Sequence, residues 1–337
     1  WRRSTIHLFS ILVMKLFLSR FIKFNIILIL MVQFFTWIYL DIRGDIYKDV
    51  LSIKQNNWDS IKTNLNNYDL IFLGSSRGYC SFNPLIIDNN TELNSYNMCT
   101  SFQHIIESLY MFKEILKTQK PKYLVYEIFL PSFNKSPNYY HLFSNAKFMS
   151  NDMVFQEFKT PKLIDILYPI VKYKAFIKKE VENSLLSKKK SKDKSVSWYK
   201  GYKSSTKTND SISINKFPPI YSFSNTAVMS TSSIEFYLDE LKNLCDNHSV
   251  ELICIRSPYP PSRLKKDPEY NTGAYFTKFL NSRDISFYDL SFYSKQKYSD
   301  YDFTDFHHLN SFGAKKTSFD LIEILNARKQ KKLNKKN

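Results

Sequence analysis

With 337 residues, 43% hydrophobic and 16% aromatic, the chain can build one large α/β domain with additions or two small domains, and it is not a disordered polymer. Four cysteines exclude a disulfide scaffold, and no period of about 20 to 50 residues marks a repeat architecture. The net charge of +17 is concentrated in three places, with five bases and no acid in residues 1–23, ten lysines against three acids in 178–207, and six bases and no acid in 328–337. The remainder is close to neutral, whereas a nucleic-acid groove would carry basic residues inside its folded motifs, so nucleic acid is not an expected partner. The lysine runs read as solvated, flexible segments lying near anionic lipid or glycan.

Phe24 to Leu40 is a charge-free run of seventeen residues, about 26 Å as a helix, preceded by bases and ending in Trp37 and Tyr39. It reads as an uncleaved membrane anchor within residues 1–41. The positive-inside rule puts the N-terminus in the cytoplasm and the remainder outside, at a bacterial inner or plasma membrane. Met14-Lys15 reads as the natural start of such an anchor, with residues 1–13 an upstream extension. A polar helical spacer is expected over 42–68.

Asp69-Leu-Ile-Phe-Leu-Gly74 is a buried strand, Ser95–Met98 a second, and Tyr123–Ile128 a third; Ser101–Lys117 has helical periodicity between the last two. A helix near 232–247, a strand at Glu251–Ile255, a helix near 270–282, a strand at Ser286–Leu290 and a helix over Ser311–Ala327 complete the series. The alternation predicts an α/β domain over 69–327, a parallel sheet in three layers with helices on both faces. Residues 131–230 break the rhythm and read as a helical and loop insertion over the carboxyl edge of the sheet, with 328–337 a basic tail. Deletion of 187–215 from this insertion is expected to leave the fold intact, because the stretch shows almost no apolar periodicity.

Two stretches carry chemistry. Leu73-Gly-Ser-Ser-Arg-Gly78 closes the first strand, where Gly74 and Gly78 permit a sharp strand-to-helix turn that lifts a serine hydroxyl over the sheet edge. Asp305-Phe-His-His308 precedes the last helix and offers a base with a carboxylate to orient it. The same loop, with Asp302, Asp305, His307 and His308, also admits a metal reading, but four candidates on one loop make a poor cage, and no metal or cofactor is expected.

Together these stretches resemble the SGNH/GDSL hydrolase superfamily, nearest in layout to its membrane-anchored members of D-alanyl transfer and polysaccharide acetylation. Gly74-Ser75-Ser76 stands at the usual Gly-Asp-Ser and Asp305-x-x-His308 at the last block. The resemblance implies Ser76 as nucleophile, His308 as base and Asp305 as its orienting acid. Tyr96-Asn-Met-Cys-Thr-Ser101 stands at the second block, with Cys99 or Ser101 in place of the glycine that donates an oxyanion-hole N–H. The third block's asparagine has no counterpart in Phe129-Leu-Pro-Ser132.

Among neighbouring residues, Arg77 could hold a substrate carboxylate or phosphate or pair with an acid, and Glu127 is its expected partner. His307 competes with His308 as base, although the spacing favours His308. His104 reads as a surface or capping residue. Cys80 and Cys99 could form a disulfide outside the cytoplasm, Cys245 and Cys254 read as buried apolar residues, and Asn89 and Asn247 lie in glycosylation sequons. The reading is an envelope esterase or acyltransferase whose partners are an acylated glycan, the membrane and other envelope-modification proteins. The rival is a catalytically inactive binding or scaffold subunit of the same fold.

Overall fold

A computed structural model describes residues 2–42, 44–135, 145, 148–149, 195–208, 228–264, 270–291 and 297–334. Two compact units comprise Trp1–Ser52 with Val154–Ser191, and Ile53–Met153 with Lys192–Asn337.

In the first unit, α1 (Arg2–Ile42) is one continuous helix of 41 residues. Within it Val13–Phe35 is long and apolar enough to cross a bilayer by length and composition, and this stretch is not buried. It starts before the expected Phe24–Leu40 because Leu16, Phe17, Leu18, Phe21 and Ile22 are exposed apolar residues set among Lys15, Arg20 and Lys23, whose long stems can carry their charges toward an interface. Asn25 is satisfied within the helix, donating from Nδ2 to the Phe21 carbonyl at 2.8 Å.

The second unit is built on five parallel strands, β1 (Leu70–Leu73), β2 (Ser95–Asn97), β3 (Tyr123–Glu127), β6 (Glu251–Arg256) and β7 (Ser286–Asp289), in the order β2-β1-β3-β6-β7. Both faces are covered, so the strands read as continuous apolar runs rather than as alternating ones. Leu70, Phe72, Val125, Ile253 and Ile255 pack on one face with Phe82 of the turn after α3 (Ser76–Ser81), Ile87 of α4 (Pro84–Asn90), and Leu321 and Leu325 of α9 (Ser311–Asn334). The alternate residues Ile71, Leu73, Leu124 and Tyr126 are fully buried on the other face. That side is covered by α5 (Ile105–Ile115) and α6 (Thr231–Asn247). Phe276 of α8 (Tyr270–Asn281) closes it, with its ring 5.7 Å from Phe133.

The strands and helices fall within a few residues of the sequence expectations, and three readings are corrected. The end of α2 (Gly44–Thr63) is not a polar spacer: Trp58 and Ile61 are buried, and Gln119 donates to the Ile61 carbonyl at 2.6 Å. The basic tail does not leave the fold at Ala327, because α9 continues to Asn334, with Arg328 and Lys332 bonded to Glu251.

The third correction concerns the stretch expected to be dispensable. It contains a two-stranded hairpin, β4 (Val196–Tyr199) and β5 (Tyr202–Ser205), joined by Lys200-Gly201 with both φ angles positive (43° and 77°). The hairpin is docked on the α/β unit. The Lys200 carbonyl accepts from Asn97 N at 2.9 Å, and its ammonium reaches Asp88 at 2.7 Å and Asn94 Oδ1 at 2.6 Å. Most of the expected insertion lies outside the described residues, as does the end of the basic tail.

Candidate active site

In an open sheet of this order, the crevice at the carboxyl ends of the central strands is where successive connections diverge to opposite faces. β1 ends there at Gly74, whose φ of +143° suits glycine alone. A Cβ on it would also lie 2.6 Å from the Cβ of Glu127 at the end of β3. The chain then turns into α3 with Ser75 as N-cap and Ser76 as the first helical residue. Gly78 serves packing rather than the turn, since a Cβ there would meet Cys99 Sγ at 2.5 Å.

Ser75 fastens this turn. Its Oγ donates to Glu127 Oε2 at 2.7 Å and accepts from Arg77 N at 3.1 Å, and its N–H also donates to Glu127 Oε2 at 3.2 Å. Glu127 is wholly buried, and burial raises its pKa against the pull of Arg77 and the Ser75 bonds.

Ser76 Oγ lies 2.8 Å from His308 Nε2, and His308 Nδ1 lies 2.8 Å from Asp305 Oδ2. The ionised carboxylate can only accept, so Nδ1 carries the proton and Nε2 is left to accept from the serine hydroxyl. The second carboxylate oxygen, Oδ1, accepts the backbone N–H groups of His307 and His308, each at 2.9 Å, which locks the loop around its own acid. A bridge between Phe303 and Leu309 closes the loop, and Asn310 Oδ1 accepts from Phe312 N and Gly313 N as α9 begins. Burial raises the Asp305 carboxyl, but the His308 hydrogen bond and the two imidazoles outweigh it and hold it well below the usual carboxylate range. His308, oriented by an acid three residues before it, thus meets a serine 232 positions earlier in the chain.

His307 does not take part in this relay. Its Nδ1 is 3.9 Å from Asp305 Oδ1, and its ring packs 4.2 Å from Phe306 and 6.3 Å from Phe129. Burial, then the neighbouring His308, lower its pKa to about 3, so it is neutral. Ligand atoms of Asp305, His307 and His308 lie within 4.8 Å of one another, but both nitrogens of His308 are already engaged by Asp305 and Ser76. Asp302 turns away to cap Ser299 and pair with Lys316 at 2.6 Å.

Several candidates are corrected by their surroundings. Arg77 points into the fold. Its guanidinium is buried, donates to the carbonyls of Ser257 and Pro258, lies 3.6 Å from the centroid of Tyr259, and has Nε 3.9 Å from Glu127. Cys99 is also buried, and its backbone N–H is committed to Asn97 Oδ1 at 3.1 Å, so the expected donor is directed elsewhere. Ser101 does reach the site, with Oγ 3.0 Å from the Tyr79 hydroxyl. His104 is buried, not a surface residue, and it caps α5, accepting from Ile106 N at Nδ1 and donating from Nε2 to the Asn134 carbonyl at 2.7 Å. Cys80 and Cys99 are free thiols, and burial pushes Cys80 up to about 12.

Sequence reasoning missed Gln103, Tyr79 and the hairpin. Gln103 Oε1 accepts from Gly74 N at 2.6 Å and so holds the turn that carries Ser75 and Ser76. Tyr79 follows Ser76 by three residues on one helical turn, a spacing that places both on one face. Trp198 of the hairpin packs its ring 5.4 Å from that of Tyr79.

No family model and no curated protein matches the chain. Solved structures similar to it include a Bacteroides fragilis protein assigned as an acylhydrolase, at 11% identity and a TM-score of 0.40 over 81% of this chain and 94% of that one. A GDSL-like lipase from Bacteroides thetaiotaomicron is similar at 10% identity and a TM-score of 0.38, over 76% and 88% of the two chains. An acetyl xylan esterase from Butyrivibrio proteoclasticus follows at 10% and 0.31, over 77% and 63%.

Proposed function

We propose that the chain is a membrane-anchored, extracytoplasmic esterase or O-acyltransferase that acts on acyl groups of a cell-envelope glycan by a Ser-His-Asp mechanism. The observation that carries this reading is the unbroken run of two 2.8 Å contacts from Ser76 through His308 to Asp305. Ser76 Oγ attacks the acyl carbonyl as its proton passes to His308 Nε2, and Asp305 stabilises the resulting imidazolium. The Ser76 N–H, at the first position of α3, has no intrahelical acceptor by its place in the helix and offers one donor to the oxyanion. On collapse His308 protonates the leaving hydroxyl, and water or a sugar hydroxyl then takes the acyl group.

The glycan rests on the aromatic surroundings. Phe102, Trp198 and Tyr199 are exposed, Phe102 beside Ser101 and Trp198 against Tyr79, and flat aromatic faces of this kind suit the apolar face of a sugar ring. The envelope placement rests on α1 and its basic flank, and other envelope-modification proteins are its natural partners. A non-catalytic binding or scaffold subunit is the second reading, favoured by the diversion of the Cys99 N–H to Asn97.

Fluorophosphonate labelling and release of acyl groups from acetylated glycan, each with Ser76→Ala as control, test the chemistry. Labelling of the wild type alone is expected, and an inert wild type leaves the binding subunit. A reporter fused after Asn337 tests topology; a cytoplasmic signal removes the envelope substrate.

A further inference from the structure

The triad accounts for the nucleophile and its proton, but the acyl carbonyl oxygen also needs donors; of the two second-block candidates Cys99 is committed elsewhere, and the third block offers none. Cys99 N–H is bonded to Asn97, and Phe129-Leu-Pro-Ser132 supplies no asparagine. The triad does not use the Tyr79 hydroxyl. Tyr79 sits one helical turn beyond Ser76, with its phenol oxygen 3.0 Å from Ser101 Oγ. Ser76 Oγ is met by His308 Nε2, which can take its proton, and the Tyr79 hydroxyl one helical turn on is a group able to donate to a neighbouring oxygen.

We propose that the Tyr79 hydroxyl is a catalytic oxyanion donor, standing in for the diverted Cys99 N–H and for the asparagine that Phe129-Leu-Pro-Ser132 does not supply. This rests on the esterase or acyltransferase reading and adds to it the group that polarises the substrate carbonyl. As the bond from Ser76 Oγ to the acyl carbon forms, the carbonyl π pair moves onto oxygen, the serine proton goes to His308, and Tyr79 O–H donates to the new oxyanion without giving up its proton. Either oxygen of the Tyr79–Ser101 pair can donate; with Ser101 Oγ–H as the donor, the phenol proton is free for the oxyanion and the phenol is strengthened as a donor. When the carbonyl re-forms, the leaving C–O bond breaks and His308 returns its proton to the leaving oxygen.

Two features suit the phenol to this task. Burial raises the Tyr79 pKa far above its ordinary value, so the donor stays protonated at any working pH. The ring is also held in place, with Trp198 5.4 Å away on β4 and Lys203 Nζ of β5 6.0 Å from its centroid. The docked hairpin thereby gains a role at the site, which is to fix the direction of this hydroxyl.

The test is Tyr79→Phe in the full chain, detergent-solubilised, assayed with p-nitrophenyl acetate and with a fluorophosphonate probe. Loss of one oxyanion donor predicts a fall in kcat of about 100-fold with KM within about twofold, a parallel slowing of labelling, and little change in melting temperature. Ser101→Ala, on a half-buried side chain, is expected to lower kcat about fivefold and serves if Tyr79→Phe does not fold. A Tyr79→Phe protein with kcat within threefold of an active wild type overturns the donor role and leaves the esterase reading standing; so does an unchanged Ser101→Ala should Tyr79→Phe not fold. A wild type inert to both ester and probe removes both.

Discussion

Acidification should weaken this fold through His104, and the size of the effect follows from its bonds. His104 Nδ1 accepts the Ile106 N–H while Nε2–H donates to the Asn134 carbonyl, so the neutral imidazole is satisfied at both nitrogens. A second ring proton would face an N–H donor inside a buried site. Burial accordingly lowers its pKa from 6.5 to about 4. As pH falls through 6.5 the unfolded chain takes up a proton that the folded chain refuses until about 4, so stability is lost across that window. Between pH 7 and 4.5 the difference integrates to about 2.5 kcal/mol.

Buried Glu107 and Glu127 have raised pKa values and act in the opposite direction, so the measurement is a difference between proteins. Asparagine is also a good N-cap, and His104→Asn keeps the cap but does not titrate. In denaturant unfolding followed by Trp58 fluorescence, the stability gap between wild type and His104→Asn should close by about 2.5 kcal/mol from pH 7 to 4.5. A gap that stays constant across this range refutes the account of His104 as a buried neutral cap.

The triad predicts that Ser76→Ala and His308→Ala each lose at least about a thousandfold in kcat/KM, with the double variant scarcely worse, while His307→Ala stays within tenfold; ester turnover measures all of these. Ser75→Ala removes the cap and one donor to Glu127 and should cost about 1–3 kcal/mol in a denaturant titration. Replacing Val196–Ser205 by a short Gly-Ser link strips Lys200 from Asp88 and Asn94 and uncovers Asn97, for a loss of about 3 kcal/mol, or roughly 6–12 °C in melting temperature.

The sheet was legible because each parallel strand is a short apolar run closed by a turn residue, and burial on both faces leaves that pattern unbroken. The triad was legible for a different reason: glycine and serine at a strand end and Asp-x-x-His before the last helix are local patterns, and the parallel topology brings their ends together. Residues whose role lies in contacts across the fold were not legible. Arg77 beside the nucleophile invites an anion-binding reading, yet Tyr259 and the 257–258 carbonyls draw it inward. The hairpin was hidden by its lysines; its signals were the tight Lys200-Gly201 turn and the aromatics Trp198, Tyr199 and Tyr202 around it.

Cys99 packs against the facing helix, and α3 leaves room for its side chain at Gly78. A Cβ on Gly78 would lie 2.5 Å from Cys99 Sγ and 3.3 Å from both Cys99 Cβ and Glu127 Cβ. Cys99 is 2% exposed and cannot swing into solvent, so Gly78→Ala forces the thiol or the helix to move. Overpacking of this kind costs about 1–3 kcal/mol, against which alanine returns less than about 1 kcal/mol of helix propensity. Because Gly78 lies two residues after Ser76, a shift of α3 should lower turnover together with stability. Shortening Cys99 to alanine removes the colliding sulfur, so Gly78→Ala/Cys99→Ala should be more stable than the two single losses add up to, by at least about 1 kcal/mol in a double-mutant cycle. Strict additivity would show that positions 78 and 99 do not share this space.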